Sequence, residues 1–414
     1  MSASNSEREI ALKRAEQLKS NIQEYLDIKD LIETGFTEIK RTRENREKIL
    51  KYFNASQKDW DNWAWQMRNR ISDISNLSRF ISLNKNEKED IERISEKFRW
   101  AISPYYLSLM DFENYKESPI FKQSVPDIRE LLDDKGEIDP MGEGKTCPAP
   151  RITRRYPDRL IINVTNQCAM YCRHCQRRRN IGENDEHATR KELKEALQYI
   201  NNNKEIRDVL ITGGDALMLS NETIDWLLTE LDNMDHVELK RLGTRTLVTL
   251  PQRITPELCQ VLENHEPVYM NTQFNSPMEV TPEAKKACDM LVKAGVLLGN
   301  QAVLLKAVND DANVMKKLNH ELLKIRVRPY YIFHAKQVRG TSHFITKIET
   351  GIGIMEKLRG YTSGLAIPTY IVNAPDGYGK TPLLPQYLIS MDKDEVTIRT
   401  WENRILKYKN EAGD

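Results

Sequence analysis

The 414-residue chain has no apolar run of the about 18 residues that a membrane span needs, so no transmembrane helix is expected. Charge of one sign is missing too: 62 Lys and Arg face 61 Asp and Glu, for a net +1. A general nucleic-acid or membrane-surface binder carries a clear basic excess, so neither partner is expected. The opening MSASNSEREI lacks the apolar segment of a secretory signal, which makes the cytoplasm the default compartment. Cysteine is scarce, with six residues in the chain, too few for a disulfide scaffold. Three of them, Cys168, Cys172 and Cys175, fall close together, which points to metal ligation.

Two regimes of composition stand out. Residues 1–125 read as helices joined by polar loops, with Ile91, Ile94 and Phe98 at helical spacing in a highly charged stretch. Trp60, Trp63 and Trp65 cluster there as core or interface packing. Residues 126–150 are a Gly/Pro/Asp-rich connector. Residues 151–380 alternate short β-rich runs with amphipathic helices, and 381–414 form a short C-terminal tail. The strand candidates are 159–165, 208–212, 246–250, 267–273, 298–305, 328–333 and 367–372. Thr189 and Glu192 form a capping box, and Thr255-Pro256-Glu257 and Thr281-Pro282-Glu283 each start a helix. This is an α/β pattern of right-handed βαβ units around a parallel sheet, either doubly wound or curved into a partial barrel. Function then belongs to the loops after the strands.

The first strand runs into NQCAMYCRHCQRRRN, with spacing Cys168-x3-Cys172-x2-Cys175. Structural zinc needs four ligands, and His174 adjoins Cys175 too closely to serve readily as the fourth. Three thiolates on a [4Fe–4S] cluster leave one iron open for a small molecule. The second strand ends in Thr212-Gly213-Gly214-Asp215, where two glycines let backbone approach a ligand, or simply make a tight turn. The last strand ends in VNAPDGYGKTP. Ala374-x4-Gly379-Lys380-Thr381 fits a loose nucleotide P-loop, but Pro382 and Pro385 oppose the helix a P-loop opens onto. A lysine amine among glycines suits a Schiff base with a carbonyl cofactor whose phosphate backbone N–H groups help to hold, and pyridoxal 5′-phosphate is the obvious candidate.

The cysteine spacing after the first strand resembles the radical S-adenosylmethionine superfamily. Together with GGDAL, LPQRITPEL, LGNQAVLL, KIRVRPYYI, LRGYTSG and GKTP in this order, it resembles the 2,3-aminomutases, of which the lysine enzymes are best known. The resemblance implies a partial (β/α)6 barrel with an N-terminal helical extension. It implies a [4Fe–4S] cluster on Cys168, Cys172 and Cys175, S-adenosyl-L-methionine cleaved to a 5′-deoxyadenosyl radical, and pyridoxal 5′-phosphate on Lys380. Arg177 matches the arginine that grips the substrate α-carboxylate. Arg155 and Arg159 match arginines near the cofactor phosphate, the bland alternative being a solvated basic surface. Gly213, Gly214, Asp215 and Gln301 match the S-adenosylmethionine side, with Asp215 and His174 as supporting residues. An electron donor such as flavodoxin or ferredoxin and a homo-oligomer are implied as partners.

Two departures from the lysine enzymes stand out. No cysteine follows Cys288, and Asp311 stands where a partner cysteine would fall, so the tail zinc of that family is not expected. Lys336 and Asn373 stand where the lysine enzymes carry two aspartates for the distant ammonium. A distant ammonium now meets like charge, whereas a distant carboxylate meets an ammonium and an amide donor. That implies glutamate as substrate, interconverted with β-glutamate (3-aminoglutarate). The alternatives are a 2,3-aminomutase for lysine or another amino acid and, from another class, a metal-bound nucleic-acid binding module.

Overall fold

The computed structural model describes residues 5–410. Nine strands form one sheet whose spatial order is the chain order: β1 (Ile152–Thr153), β2 (Arg159–Asn163), β3 (Asp208–Thr212), β4 (Leu239–Gly243), β5 (Val268–Thr272), β6 (Leu297–Leu304), β7 (Arg328–His334), β8 (Thr369–Ala374) and β9 (Gly379–Pro382). Strands β2 to β8 are parallel, and β1 and β9 pair antiparallel at the two edges. A doubly wound sheet reverses its winding at a switch point. None occurs here: each strand adds beside the last, so right-handed crossovers put their helices on one side and the sheet curls into a partial barrel. The crossover helices are Arg190–Asn202, Asn221–Asp232, Pro256–Glu263, Pro282–Lys293, Ala312–Lys324 and Ile348–Leu358.

Local sequence explains the helix starts. Thr189 Oγ1 accepts from the Glu192 N–H at 3.3 Å while the Glu192 carboxylate accepts from the Thr189 N–H at 2.7 Å. Leu193, Ala196, Leu197 and Ile200 then share the buried face. Thr255 and Thr281 cap their helices with proline at the first position.

One expected strand lies elsewhere. Residues 246–250 contain a helical turn, Thr246–Thr249, and the strand is β4, whose LKRLG is masked by two charges. Lys240 reaches Asp232 and, at 2.7 Å, the His265 carbonyl. Arg241 Nε donates to Asp208 on neighbouring β3 at 2.7 Å. Pairing lets these cations sit in the sheet, so hydrophobicity alone did not reveal it.

The N-terminal helices and the barrel share one hydrophobic cluster, from Ile49, Trp60, Trp100 and Tyr105 through Ile162 to Tyr370. Trp63 lies under the Arg253 guanidinium at 4.9 Å. Ile91 and Ile94 are buried on the helix Lys85–Ser95, and Phe98 lies 3.8 Å under Arg178. The 126–150 segment packs too: Glu130 and Glu143 are buried, and Glu137 bridges Val338. After β9 the tail folds into an antiparallel sheet of β10 (Leu388–Met391), β11 (Glu395–Arg399) and β12 (Ile405–Lys409). No helix among the described residues is long and apolar enough to cross a membrane.

Candidate active site

A cavity of about 310 Å³ opens at the strand ends. The side chains expected from sequence converge on it: Cys168, Cys172, Cys175, Arg155, Arg159, Arg177, Gly213, Gly214, Asp215, Gln301, Lys336, Asn373 and Lys380 all line it, as does His174.

The cysteine loop leaves β2 and is braced from behind by the N-terminal region. Arg70 donates to the Cys168 carbonyl at 2.7 Å, the Tyr171 N–H to the Ala101 carbonyl at 3.1 Å, and the Arg173 N–H to the Gln123 carbonyl at 2.9 Å. Asp185 gathers Arg70 at 2.6 Å, Gln167 at 2.9 Å, the Tyr171 hydroxyl at 2.5 Å, and Arg99. Burial pushes the Cys168 thiol up, and Cys175 up to about 11. A bound cation reverses that balance and favours the thiolates. Among the described residues no three His, Cys, Asp or Glu side chains group around a single ion. An iron–sulfur cube gives each thiolate its own iron and does not require that convergence, so the donor set fits a cluster.

Gly213 and Gly214 serve first as packing positions. A Cβ on Gly213, at φ +140°, would stand 2.3 Å from the Thr165 carbonyl oxygen, and one on Gly214 would stand 2.5 Å from that of Gln167. The glycines thus let the end of β3 dock on the root of the cysteine loop. Asp215 lines the wall with both oxygens committed: Oδ1 accepts from Thr244 at 2.6 Å and the Leu217 N–H at 3.0 Å, and Oδ2 from the Arg245 N–H at 2.7 Å. These bonds fix the backbone of the wall at Leu217 and Arg245. His174 is half-buried, desolvation pushes its pKa well below the usual range, and its Nε2 lies 3.2 Å from Gln273 Nε2.

The opposite wall is cationic. β9 forms a hairpin with β8, not the helix of a P-loop, and its register sets Lys380 opposite Asn373. The Lys380 N–H donates to the Tyr156 hydroxyl at 2.9 Å, and its Nζ lies 5.1 Å from the centre of the Tyr331 ring and 5.5 Å from that of Phe333. Burial, then Arg159, Arg241 and Arg155, hold the Lys380 ammonium down to about 8. Burial, then Arg155, Arg177 and Lys380, hold Lys336 down to about 7. Arg155 and Arg159 turn inward while Arg154 is tied to Glu205 at 2.7 Å, so the basic run is not one exposed strip. Asn373 Nδ2 and Arg155 Nη1 are buried donors without an acceptor. Unmet donors beside ammonium and guanidinium groups fit anionic ligands, a phosphate and carboxylates among them.

Glu143 escaped the sequence reading. It lies in the connector and takes Arg177 Nε at 3.0 Å, Arg179 Nη2 at 3.0 Å and Arg155 Nη2 at 3.7 Å. Against burial, Arg177 and then Arg155 and Arg179 pull its carboxyl down to about 2. The signal available was local charge: arginines crowd 151–159 and 177–179, and buried ones need a carboxylate from elsewhere. Arg241 lines the same cavity from β4, a strand whose two charges mask it in sequence.

The family model described as "Lysine-2,3-aminomutase" matches residues 355–413, and that of the "Radical SAM superfamily" matches residues 162–318. The chain is 56% identical over 407 residues to the glutamate 2,3-aminomutase of Clostridioides difficile (strain 630), covering 98% of this chain and 96% of the relative. It is 47% identical over 360 residues to the L-lysine 2,3-aminomutase of Fusobacterium nucleatum subsp. nucleatum, covering 86% of this chain and 84% of that one. With the L-lysine 2,3-aminomutase of Clostridium subterminale it shares 47% identity over 356 residues, covering 86% and 85%.

Proposed function

We infer the reaction from one premise: this chain belongs to the lysine 2,3-aminomutase family of the radical SAM superfamily. It is an isomerase that moves an amino group within an amino acid, with the [4Fe–4S] cluster and S-adenosylmethionine that the superfamily implies. The substrate is L-glutamate and the product β-glutamate. The reading carries pyridoxal 5′-phosphate as a further cofactor, a flavodoxin or ferredoxin as electron donor, a homo-oligomer, and the cytoplasm as compartment.

When bound, the cluster and S-adenosylmethionine supply a 5′-deoxyadenosyl radical for hydrogen abstraction, and pyridoxal phosphate supplies a carbonyl to carry the migrating nitrogen. Cys168, Cys172 and Cys175 hold the cluster. Lys380 presents an amine with a pKa of about 8, which leaves a useful neutral fraction for bonding to a carbonyl. Arg155 and Arg159, which line the cavity, would hold the cofactor phosphate, and the unmet Nη1 of Arg155 would supply a donor for it. Arg177 takes the α-carboxylate, its fork steadied by Glu143. Gln301 lines the adenosyl side. Enclosure by these side chains excludes water from reactive radicals and fixes substrate orientation.

The observation that carries the choice of glutamate is the pair Lys336 and Asn373, an ammonium and an unpartnered amide donor in a cavity whose nearby Arg155, Arg177 and Lys380 repel a second cation. A distal carboxylate gains a charge-assisted contact there, and a distal ammonium gains only repulsion. Steady-state turnover of glutamate and lysine by Lys336→Ala and by Lys336→Asp with Asn373→Asp tests this. Both variants should keep iron and bound pyridoxal phosphate yet lose at least tenfold in kcat/KM for glutamate. Wild-type glutamate turnover in Lys336→Ala would remove the pair from the account.

A further inference from the structure

We propose that Arg245 raises the reduction potential of the iron–sulfur cluster by donating an N–H···S hydrogen bond to Cys172, and that the N-terminal helical region holds it there. The proposal rests on the reading of Cys168, Cys172 and Cys175 as cluster ligands.

Arg245 follows β4 and is buried. Its Nη1 lies 2.8 Å from Cys172 Sγ. Nη2 donates to Glu279 Oε1 and Gln123 Oε1, each at 2.7 Å, and Nε to the Gln273 carbonyl at 3.0 Å. With these groups committed, the rigid guanidinium fork cannot turn away from the sulfur without breaking buried hydrogen bonds. Glu279 is fully buried and accepts in addition from the Tyr106 hydroxyl at 2.7 Å, Gln123 Nε2 at 3.0 Å, and the Asn275 and Ser276 N–H groups at 2.5 and 3.1 Å. Tyr106 and Gln123 come from the helices Pro104–Ser108 and Pro119–Ser124, outside the barrel. The N-terminal region thus reaches the cysteine loop through Tyr106, Gln123 and Glu279, and Arg245 is the last member of that chain.

Hydrogen bonds to cluster sulfurs and the local net charge are two of the protein's levers on the potential. A donated N–H draws electron density from the thiolate and favours the more negative, reduced cluster. Glu279 offsets much of the guanidinium charge, so the directional N–H···S bond is the part that acts on the sulfur.

The test is an anaerobic redox titration of the reconstituted full-length protein, followed by electron paramagnetic resonance, with iron and acid-labile sulfide measured on each sample. Arg245→Gln should lower the midpoint so that the reduced-to-oxidised ratio at fixed potential falls at least tenfold, 59 mV for a one-electron couple. Arg245→Lys, which keeps a charged donor, should recover part of the shift. Tyr106→Phe removes one anchor from Glu279 and should shift the midpoint the same way by less. An unchanged midpoint in iron-loaded Arg245→Gln overturns the proposal. Should that variant fail to load iron, an unchanged midpoint in loaded Tyr106→Phe overturns it. Wild-type protein that holds no iron and sulfide after reconstitution sinks the cysteine reading itself, and the proposal with it.

Discussion

Asn373 and Lys380 face each other across the antiparallel pair of β8 and β9. Directly opposed residues project from the same face of a sheet, and both side chains line the one cavity. The residue assigned to the cofactor and one assigned to the substrate's far end are therefore set by a single register. A slip of one residue would turn one of them away. Two features pin that register. The Lys380 N–H bonds to Tyr156, and Gly379, at φ +100°, leaves room for the Tyr156 ring, which a Cβ would approach to 3.2 Å.

Lys380 should be the residue that borohydride links to pyridoxal phosphate. Peptide mapping after reduction should find the label there, and Lys380→Ala should lose it while retaining wild-type iron, because the cysteines lie on a different loop. The apoprotein's uptake of pyridoxal phosphate should quicken as pH rises through about 8, where the amine loses its proton. Label on another lysine would reject the assignment.

Glutamate binding should weaken with rising pH through Lys336. Burial and neighbouring cations depress its pKa to about 7 in the free protein, and an arriving carboxylate favours the ammonium. Binding above that pH must take up a proton. KM for glutamate should therefore be flat below about 7 and rise toward about tenfold per pH unit above it. Lys336→Ala should flatten the profile. A profile unaltered by that substitution would place the titration elsewhere.

Glu130 should be a stability residue with little direct part in chemistry. Its buried carboxylate takes Arg173 Nε at 2.9 Å and Nη2 at 2.5 Å, and Arg178 as well, tying the connector to the cysteine loop. Glu130→Gln leaves two buried guanidinium groups short of their counter-charge, at a cost of about 3–5 kcal/mol. Urea unfolding should show a correspondingly lower midpoint, and an unchanged midpoint would mean that the ion pairs contribute nothing net.

Much of the site was legible in sequence because its chemistry is local. Three cysteines within one loop and a lysine directly after the glycines of DGYGKTP declare themselves by spacing, and apolar strands such as DVLIT at β3 match their expected bounds. What stayed hidden depends on partners distant in the chain. β4 reads as polar until Asp232 and Asp208 are seen to pair Lys240 and Arg241. Glu143 carries no motif and matters only because the fold brings Arg155, Arg177 and Arg179 around it. The tail strands β10 to β12 bury no residue fully, so alternation gives no signal for them. The paired glycines read in sequence as a ligand approach or a tight turn, and the close packing against the backbone at Thr165 and Gln167 adds a constraint that sequence does not show.

The most direct measurement is a competition. Anaerobically reconstituted wild-type protein, supplied with S-adenosylmethionine, pyridoxal phosphate and dithionite, is given equimolar L-glutamate and L-lysine, and the products are followed by carbon-13 NMR. The account predicts β-glutamate as the main product, with kcat/KM for glutamate at least tenfold above that for lysine. β-Lysine forming as fast as β-glutamate, or faster, would contradict it.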